Sequence, residues 1–302
     1  MSLIEINNIT KNYGNKRGNF DISLSIERGE VFGFVGTNGS GKTTLIRQMM
    51  GFLHPDSGSI KIDGMDSWTD SAKLKDTIGY VPGEIAFPDA PTGTVFLKRQ
   101  AELLGVRDMT YADEIVGKLQ LDPTANLKRM SKGMKQKTAI VAGFMADRKI
   151  LILDEPTTGL DPLMRAEFID LVNAEKEKGK TIFMSSHMFE EVEDTCDRVA
   201  LIKDGEIIAV KSTLEIKRNE NKEYKIEFFH EVDYNSFRSE TFDTIKSFEF
   251  IEQREIHNQV VIKINDSDIN YFLSILKTYR IKFITEIKYT LEQYFKSQYG
   301  HI

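Results

Sequence analysis

Cysteine is nearly missing from this chain. Cys196 is the only one in 302 residues, so no intrachain disulfide can form and the fold must rest on packing. Proline is absent after Pro162, and no glycine lies between Gly205 and Gly300. Long apolar runs are lacking too. Without about 18 consecutive apolar residues no helix is expected to span a bilayer, and work at a membrane would call for a partner that supplies the membrane part. The first residues, Met1-Ser2-Leu3-Ile4-Glu5, lack the basic start and apolar block of a secretory leader. With the single cysteine, this points to a reducing, cytoplasmic setting. An excess of positive charge is also missing: the formal net charge is −6, which argues against wholesale wrapping of nucleic acid. What remains is a composition of 40% hydrophobic and 28% charged residues, that of a folded globular chain. Its length suits one large domain and one small.

Glycine and proline divide the chain in two. The last third is dense in aromatics instead, with 16 of the chain's 30 after residue 214. The change falls near 212–222, where the charged, non-periodic run from Lys217 to Glu223 reads as a linker or a solvated helix end. Before it, strands alternate with helices. Val31–Val35 and Lys149–Leu153 are short strands, apolar apart from the leading Lys149, as a parallel sheet covered on both faces requires. Thr43–Phe52 and Ala166–Lys178 read as helices, the latter ending at Gly179. Thr181–Ser185 is a further strand, and Asp204-Gly205 joins Arg198–Lys203 to Glu206–Val210 as a hairpin. This is an α/β nucleotide-binding pattern. After it, Tyr224, Ile226 and Phe228 alternate, as do Val260, Ile262 and Ile264, the mark of half-buried strands. With helices expected at 233–246 and 266–279 and a strand at 283–289, the order β-α-β-β-α-β suggests a small α+β domain over 222–302, of ferredoxin-like type.

Gly36-Thr37-Asn38-Gly39-Ser40-Gly41-Lys42-Thr43 fits the phosphate-loop pattern G-x-x-x-x-G-K-[ST], with a strand before it and a helix after, as the mechanism demands. Glycines let backbone N–H groups close around phosphate oxygens, and the helix aims its positive end at the same anion. Lys42 is placed to reach the β- and γ-phosphates, and Thr43, next to Thr44, to ligate Mg²⁺. Asp154 and Glu155 end the apolar strand 149–153. Asp154 suits the ordering of Mg²⁺, and Glu155 the activation of water. A strand often ends in charge merely because it meets solvent, but the phosphate loop upstream gives these two a purpose.

The order of the remaining motifs resembles the nucleotide-binding subunit of ATP-binding cassette (ABC) transporters, over residues 2 to about 213. The resemblance implies a P-loop NTPase with a RecA-like core, an antiparallel β subdomain and a helical subdomain at about 84–145. It also implies ATP as nucleotide and residues 1–213 as the ATPase domain. Tyr13 takes the place of the aromatic that stacks on adenine; alone, it would more often be a packing residue. Met130-Ser131-Lys132-Gly133-Met134 lies where the family carries Leu-Ser-Gly-Gly-Gln. Ser131 and Gly133 match, while Lys132 and Met134 depart. Ser131 and Gly133 are expected to grip a γ-phosphate held by a second subunit, Asp161 to touch that subunit, and His187 to contact the γ-phosphate. Gly83 stands where the family places a glutamine that ligates Mg²⁺ or its water, and Glu84 follows. Phe87, Pro88 and Pro91 sit in the loop that would dock on a separate permease. Cys196 and Trp68 need no functional role.

A stand-alone cassette of this kind implies a dimeric, Mg-dependent ATPase, peripheral on the cytoplasmic face and driving an exporter-type permease. A cassette acting on DNA or the ribosome is the alternative. Such proteins usually carry a coiled-coil insertion or two cassettes, and neither is present here. The tail, with 13 Lys/Arg against 15 Asp/Glu from residue 215, offers no basic surface for nucleic acid. Ligand sensing and dimerisation both remain open for it.

Overall fold

The computed structural model describes residues 2–299 apart from 219, 241, 243, 244 and 246, and divides into two compact units, residues 1–213 and 214–302. The first unit opens with the hairpin β1 (Ser2–Asn12) and β2 (Gly18–Glu27), then β3 (Val31–Val35) and α1 (Lys42–Met49). β4 (Ser57–Ile62), β5 (Met65–Asp66), α2 (Ser71–Lys75) and β6 (Ile78–Val81) follow, leading to the helices α3 (Gly93–Leu104), α4 (Thr110–Lys118) and α5 (Lys132–Phe144). The chain returns through β7 (Ile150–Asp154), α6 (Pro162–Glu177), β8 (Thr181–Ser186), α7 (Phe189–Thr195), β9 (Arg198–Lys203) and β10 (Glu206–Ser212), and α8 (Thr213–Lys217) lies at the division.

Two sheets result. One has the order β2-β1-β4-β5 and is antiparallel. The other has the order β10-β9-β3-β8-β7-β6, parallel except for the β9–β10 hairpin. Every residue of β3, β7 and β8 is buried, which is why Val31–Val35, Ile150–Leu153 and Ile182–Met184 run without polar alternation. Phe183 of β8 packs between Phe32 and Phe34 of β3, with ring centroids 6.0 and 5.6 Å away. The β9–β10 turn puts Asp204 and Gly205 at φ 50° and 85°, the left-handed pair a two-residue hairpin needs.

The helices α3 to α5 form the helical region within this unit. Gly79 on β6 and Gly143 on α5 let the helix meet the sheet backbone to backbone. A Cβ on Gly143 would lie 2.8 Å from the Tyr80 carbonyl oxygen, and one on Gly79 2.4 Å from that of Gly143. A second tie is polar: the Tyr111 hydroxyl on α4 donates to the fully buried Glu175 on α6 at 2.7 Å. Glu175 also pairs with Lys178 and Lys180. Helix α6 begins at Pro162, four residues before the apolar spacing suggests, because Asp161 accepts from the Met164 N–H and Pro162 suits the first turn. Cys196 is buried just past the end of α7, and burial pushes its thiol up to about 12.

The second unit runs β11 (Asn221–Phe228), α9 (Glu231–Ser239), β12 (Glu249–Arg254), β13 (Gln259–Asn265), α10 (Ile269–Leu276), β14 (Ile281–Ile287) and α11 (Leu291–Tyr299). Its antiparallel sheet has the order β12-β13-β11-β14, in which a hairpin strand inserts between the two ends of a split β-α-β unit. β11 takes up the charged run from Asn221 that reads as linker, because Tyr224, Ile226 and Phe228 carry it into the sheet. The expected helix 233–246 is observed to Ser239; Thr241, Asp243, Thr244 and Lys246 lie outside the described residues. The core of this unit is aromatic. Phe237, fully buried, touches Phe228, Phe242, Phe248, Phe250, Phe272 and Tyr279 at centroid distances of 5.1–6.4 Å.

Phe237→Ala should lower the unfolding free energy of this unit by about 3–5 kcal/mol, measured by urea denaturation followed by near-ultraviolet circular dichroism. Trp68, the single tryptophan, reports the other unit, and the midpoint of its fluorescence transition should stay unchanged.

Candidate functional site

The parallel sheet delivers β3, β7 and β8 to one edge in register, with Val35 beside Ser186 and Asp154 beside Ser185. Each strand then releases a functional segment there. After β3 the chain turns through Gly36–Gly41 into α1. Gly39 and Gly41 have φ of 83° and 108°, and a Cβ on Gly36 would lie 2.4 Å from the Ile202 carbonyl oxygen; only glycine meets both demands. No side chain caps α1, so its first N–H groups face the loop. The loop is braced from the antiparallel sheet by the buried Asn19, whose amide donates to the Gly41 carbonyl at 3.1 Å and accepts from Gln48 at 3.0 Å.

Lys42 is 4% exposed, and its ammonium donates to the Gly36 and Thr37 carbonyls at 2.8 and 3.1 Å. It lies 3.2 Å from Glu155 Oε1. Glu155 Oε2 in turn meets His187 Nδ1 at 3.2 Å and the Thr158 hydroxyl at 3.4 Å. Glu155 sits at φ 46°, a left-handed conformation that costs a bulky residue about 1–3 kcal/mol. Its N–H is tied to Ser185 through both carbonyl and hydroxyl, at 3.1 and 3.0 Å. This aims a half-buried carboxylate beside the phosphate loop.

Asp154 is almost wholly buried, and its Oδ1 accepts from Ser185 at 2.6 Å and from Thr43 at 3.3 Å. Burial raises its pKa against those two hydrogen bonds. Among the described residues Asp154 Oδ2 and Ser40 Oγ have no hydrogen-bond partner. A buried carboxylate oxygen without a donor, beside a threonine hydroxyl, is a donor set of the hard oxygen type that suits Mg²⁺. Gly83 lies against this carboxylate: a Cβ there would come within 3.1 Å of Asp154 Cγ and Oδ2. Glu84 instead pairs with Arg47 at 3.3 Å and is exposed.

A cavity of about 520 Å³ gathers Tyr13, Asn38, Gly39, Gly41, Lys42, Thr43, Thr44, Gly83, Glu84 and Glu155, with Arg17 and Gly18 from the β1–β2 turn. Tyr13 is half exposed at its mouth. Ser131, Gly133 and Asp161 do not line it. Ser131 caps α5, accepting from the Met134 N–H at 3.2 Å. A Cβ on Gly133 would lie 2.8 Å from the Gly159 carbonyl oxygen, so the start of α5 rests on the turn that precedes Asp161. Asp154 and His187 do not line the cavity either, and reach it through Thr43 and Glu155. Sequence reasoning missed Arg17 and Asn19, which reach the loop only because the antiparallel sheet packs there. It also missed Glu191, fully buried behind His187.

Burial pushes the Glu191 carboxyl up to about 7, against hydrogen bonds from Thr157 and Ser186 and the nearby charge of Arg165, with Glu155 adding repulsion. The folded chain therefore holds a proton that the unfolded chain, at the ordinary glutamate value of 4.5, releases. Stability from this group is fullest below that lower value and is lost as pH rises toward 7. Glu191→Gln should abolish the slope. The parent should lose about 3 kcal/mol relative to the variant between about pH 4 and pH 8, read by denaturant titration at several pH values.

The family model described as "ABC transporter" matches residues 20–158. The chain is 30% identical over 300 residues to the ABC transporter ATP-binding protein YtrB of Bacillus subtilis, covering 99% of this chain and 98% of that protein. It is 30% identical over 267 residues to the bacitracin transport ATP-binding protein BcrA of Bacillus licheniformis, covering 87% and 85%. A solved ATP-binding subunit of an ABC transporter superposes with a TM-score of 0.65 at 27% identity, over 72% of this chain and 92% of that one. Among the described residues no helix is long and apolar enough to cross a membrane. The chain therefore belongs to the ATP-binding subunits of ABC transporters, and it is an ATP-binding, ATP-hydrolysing P-loop protein.

Proposed function

We propose that two copies of this chain, or this chain and a related subunit, close around Mg-ATP and thereby drive a separate permease, in the export direction. The observation that carries this reading is the division of the motifs. Lys42, Thr43, Asp154, Glu155 and His187 converge at one strand edge, while Ser131, Gly133 and Asp161 cluster away from that cavity. Neither set encloses a triphosphate alone. Phosphates would meet the loop N–H groups and Lys42, with the adenine against Tyr13 at the mouth. Thr43 and Asp154 would hold Mg²⁺, which supplies charge neutralisation on the phosphates. Glu155 accepts the proton of the attacking water and His187, whose Nδ1 lies 3.2 Å from it, faces the γ-phosphate. Ser131 and Gly133 of the opposing subunit complete the enclosure, and Asp161 lies at the contact. Loss of the γ-phosphate removes that bridge and loosens the pair.

The permease contact falls to the helical region. Ile85, Phe87, Pro88, Leu127 and Lys128 line a second cavity of about 380 Å³, and Phe87 is fixed by Phe96 at 4.6 Å. A role in transport is supported by BcrA, a bacitracin transport ATP-binding protein by name. The site is then peripheral on the cytoplasmic face of the membrane.

Lys42→Ala should abolish ATP binding. Glu155→Gln should keep it, lower phosphate release by about 10²–10⁴-fold and accumulate an ATP-dependent dimer in light scattering. Parental turnover in Glu155→Gln would overturn the reading. Gly83→Gln should push on the Asp154 carboxylate and weaken the Mg²⁺ dependence of hydrolysis by about tenfold. An unchanged Mg²⁺ titration would show that the carboxylate yields. Mild-detergent purification from membranes should recover a permease; recovery with ribosomes or DNA instead would support the alternative.

A further inference from the structure

Behind the hydrolytic pair lies a carboxyl group that the chemistry above does not use. Glu191, in α7, is 0% exposed, and its Oε2 accepts from the Thr157 and Ser186 hydroxyls, both at 2.9 Å. Those hydroxyls belong to different segments. Thr157 lies two residues after Glu155, in a turn where the Thr158 N–H donates to the Glu155 carbonyl at 3.2 Å and the Leu160 N–H to the Thr157 carbonyl at 3.0 Å. Ser186 ends β8 immediately before His187, and its hydroxyl oxygen also accepts from the Met188 N–H at 2.9 Å. His187 is thus bracketed on both sides by one serine. On its far side the imidazole meets Glu155 Oε2 at 3.2 Å. The contacts close a ring from Glu155 through Thr157, Glu191, Ser186 and His187 back to Glu155.

We infer that Glu191 is a positioning residue for ATP hydrolysis, holding Glu155 and His187 in mutual register by gripping the two loops that carry them. The inference rests on the reading of those two residues as the hydrolytic pair. Residues just past a strand end are no longer fixed by the sheet ladder, and both members of the pair stand there. A buried carboxyl group is an expensive way to fill space. Neighbouring positions, Val192 on α7 and Cys196 just past its end, show that packing did not require one: they reach Gly33 of β3 so closely that a Cβ there would lie 2.6 and 3.0 Å from them. An apolar side chain at 191 would occupy the same volume and tie neither loop. Of the charged groups acting on it, Arg165 is attractive and Glu155 repulsive. Its second oxygen has no partner among the described residues, so its two hydrogen bonds both serve the link between the loops.

The test is steady-state ATPase kinetics on the purified full chain. Glu191→Ala should lower kcat by about 10- to 100-fold, with KM for ATP changed by no more than about twofold. Glu191→Gln, whose amide oxygen accepts the same two hydroxyls, should recover most of the loss. Thr157→Val and Ser186→Ala, each removing one tie, should fall in between. A parental kcat in Glu191→Ala, a loss that glutamine does not recover, or a KM that rises in step with the fall in kcat would each overturn the inference. Should Glu191→Ala not fold, parental kcat in both Thr157→Val and Ser186→Ala would do so. The underlying reading fails separately: it is lost if Glu155→Gln turns over normally, whereas an inactive Glu155→Gln beside a fully active Glu191→Ala removes only the role given to Glu191.

Discussion

The site depends on the parallel pairing of β8 between β3 and β7. Because a parallel ladder brings strand ends of one polarity to one edge, the phosphate loop, the paired carboxylates and His187 leave the sheet side by side although some 150 residues separate the first from the last. Ser185 makes the pairing chemical as well as geometric. Its hydroxyl donates to Asp154, and its backbone carbonyl receives the Glu155 N–H. One serine thus holds the Asp154 carboxyl group and the strained backbone of Glu155 together. A one-residue slip in this register would turn each of those groups to the opposite face of the sheet.

Electrostatics at this edge are arranged in opposition. Lys42 is buried and would be costly without compensation; two loop carbonyls and Glu155 supply it. Asp154 is buried with a free oxygen, and its raised pKa reflects that burial more than any neighbour. The absence of a side chain at Gly83 is in keeping with this, since the carboxylate fills the space that a Cβ would need. The departure from the family's glutamine is therefore matched by close packing on Asp154.

The C-terminal unit stands on different physics. Its core is a mesh of phenylalanine rings at edge and tilted angles, among them Phe237, Phe242, Phe248 and Phe272, and its strands pair antiparallel throughout. A small domain without disulfides must draw its stability from such dense apolar burial. The enrichment in aromatics after residue 214 is the compositional trace of that need.

The residues by themselves determined the phosphate loop, the strands 31–35 and 149–153 (the latter observed at Ile150–Asp154), the Asp204-Gly205 hairpin and the alternating strands of the tail. These follow from local rules: glycine where φ must be positive, unbroken apolar runs where both faces are covered, and alternation where one is. Only the tertiary structure decided the rest. It placed Asn19 and Arg17 beside a loop that neither adjoins in sequence, and it started α6 at its cap rather than at its apolar stripe. It also buried Glu191 behind the pair it tethers. Local propensity reports what a segment becomes. Which segments meet is set by the register of the sheet and by the backbone contact at Gly79 and Gly143, interactions between residues far apart in the chain that no local pattern encodes.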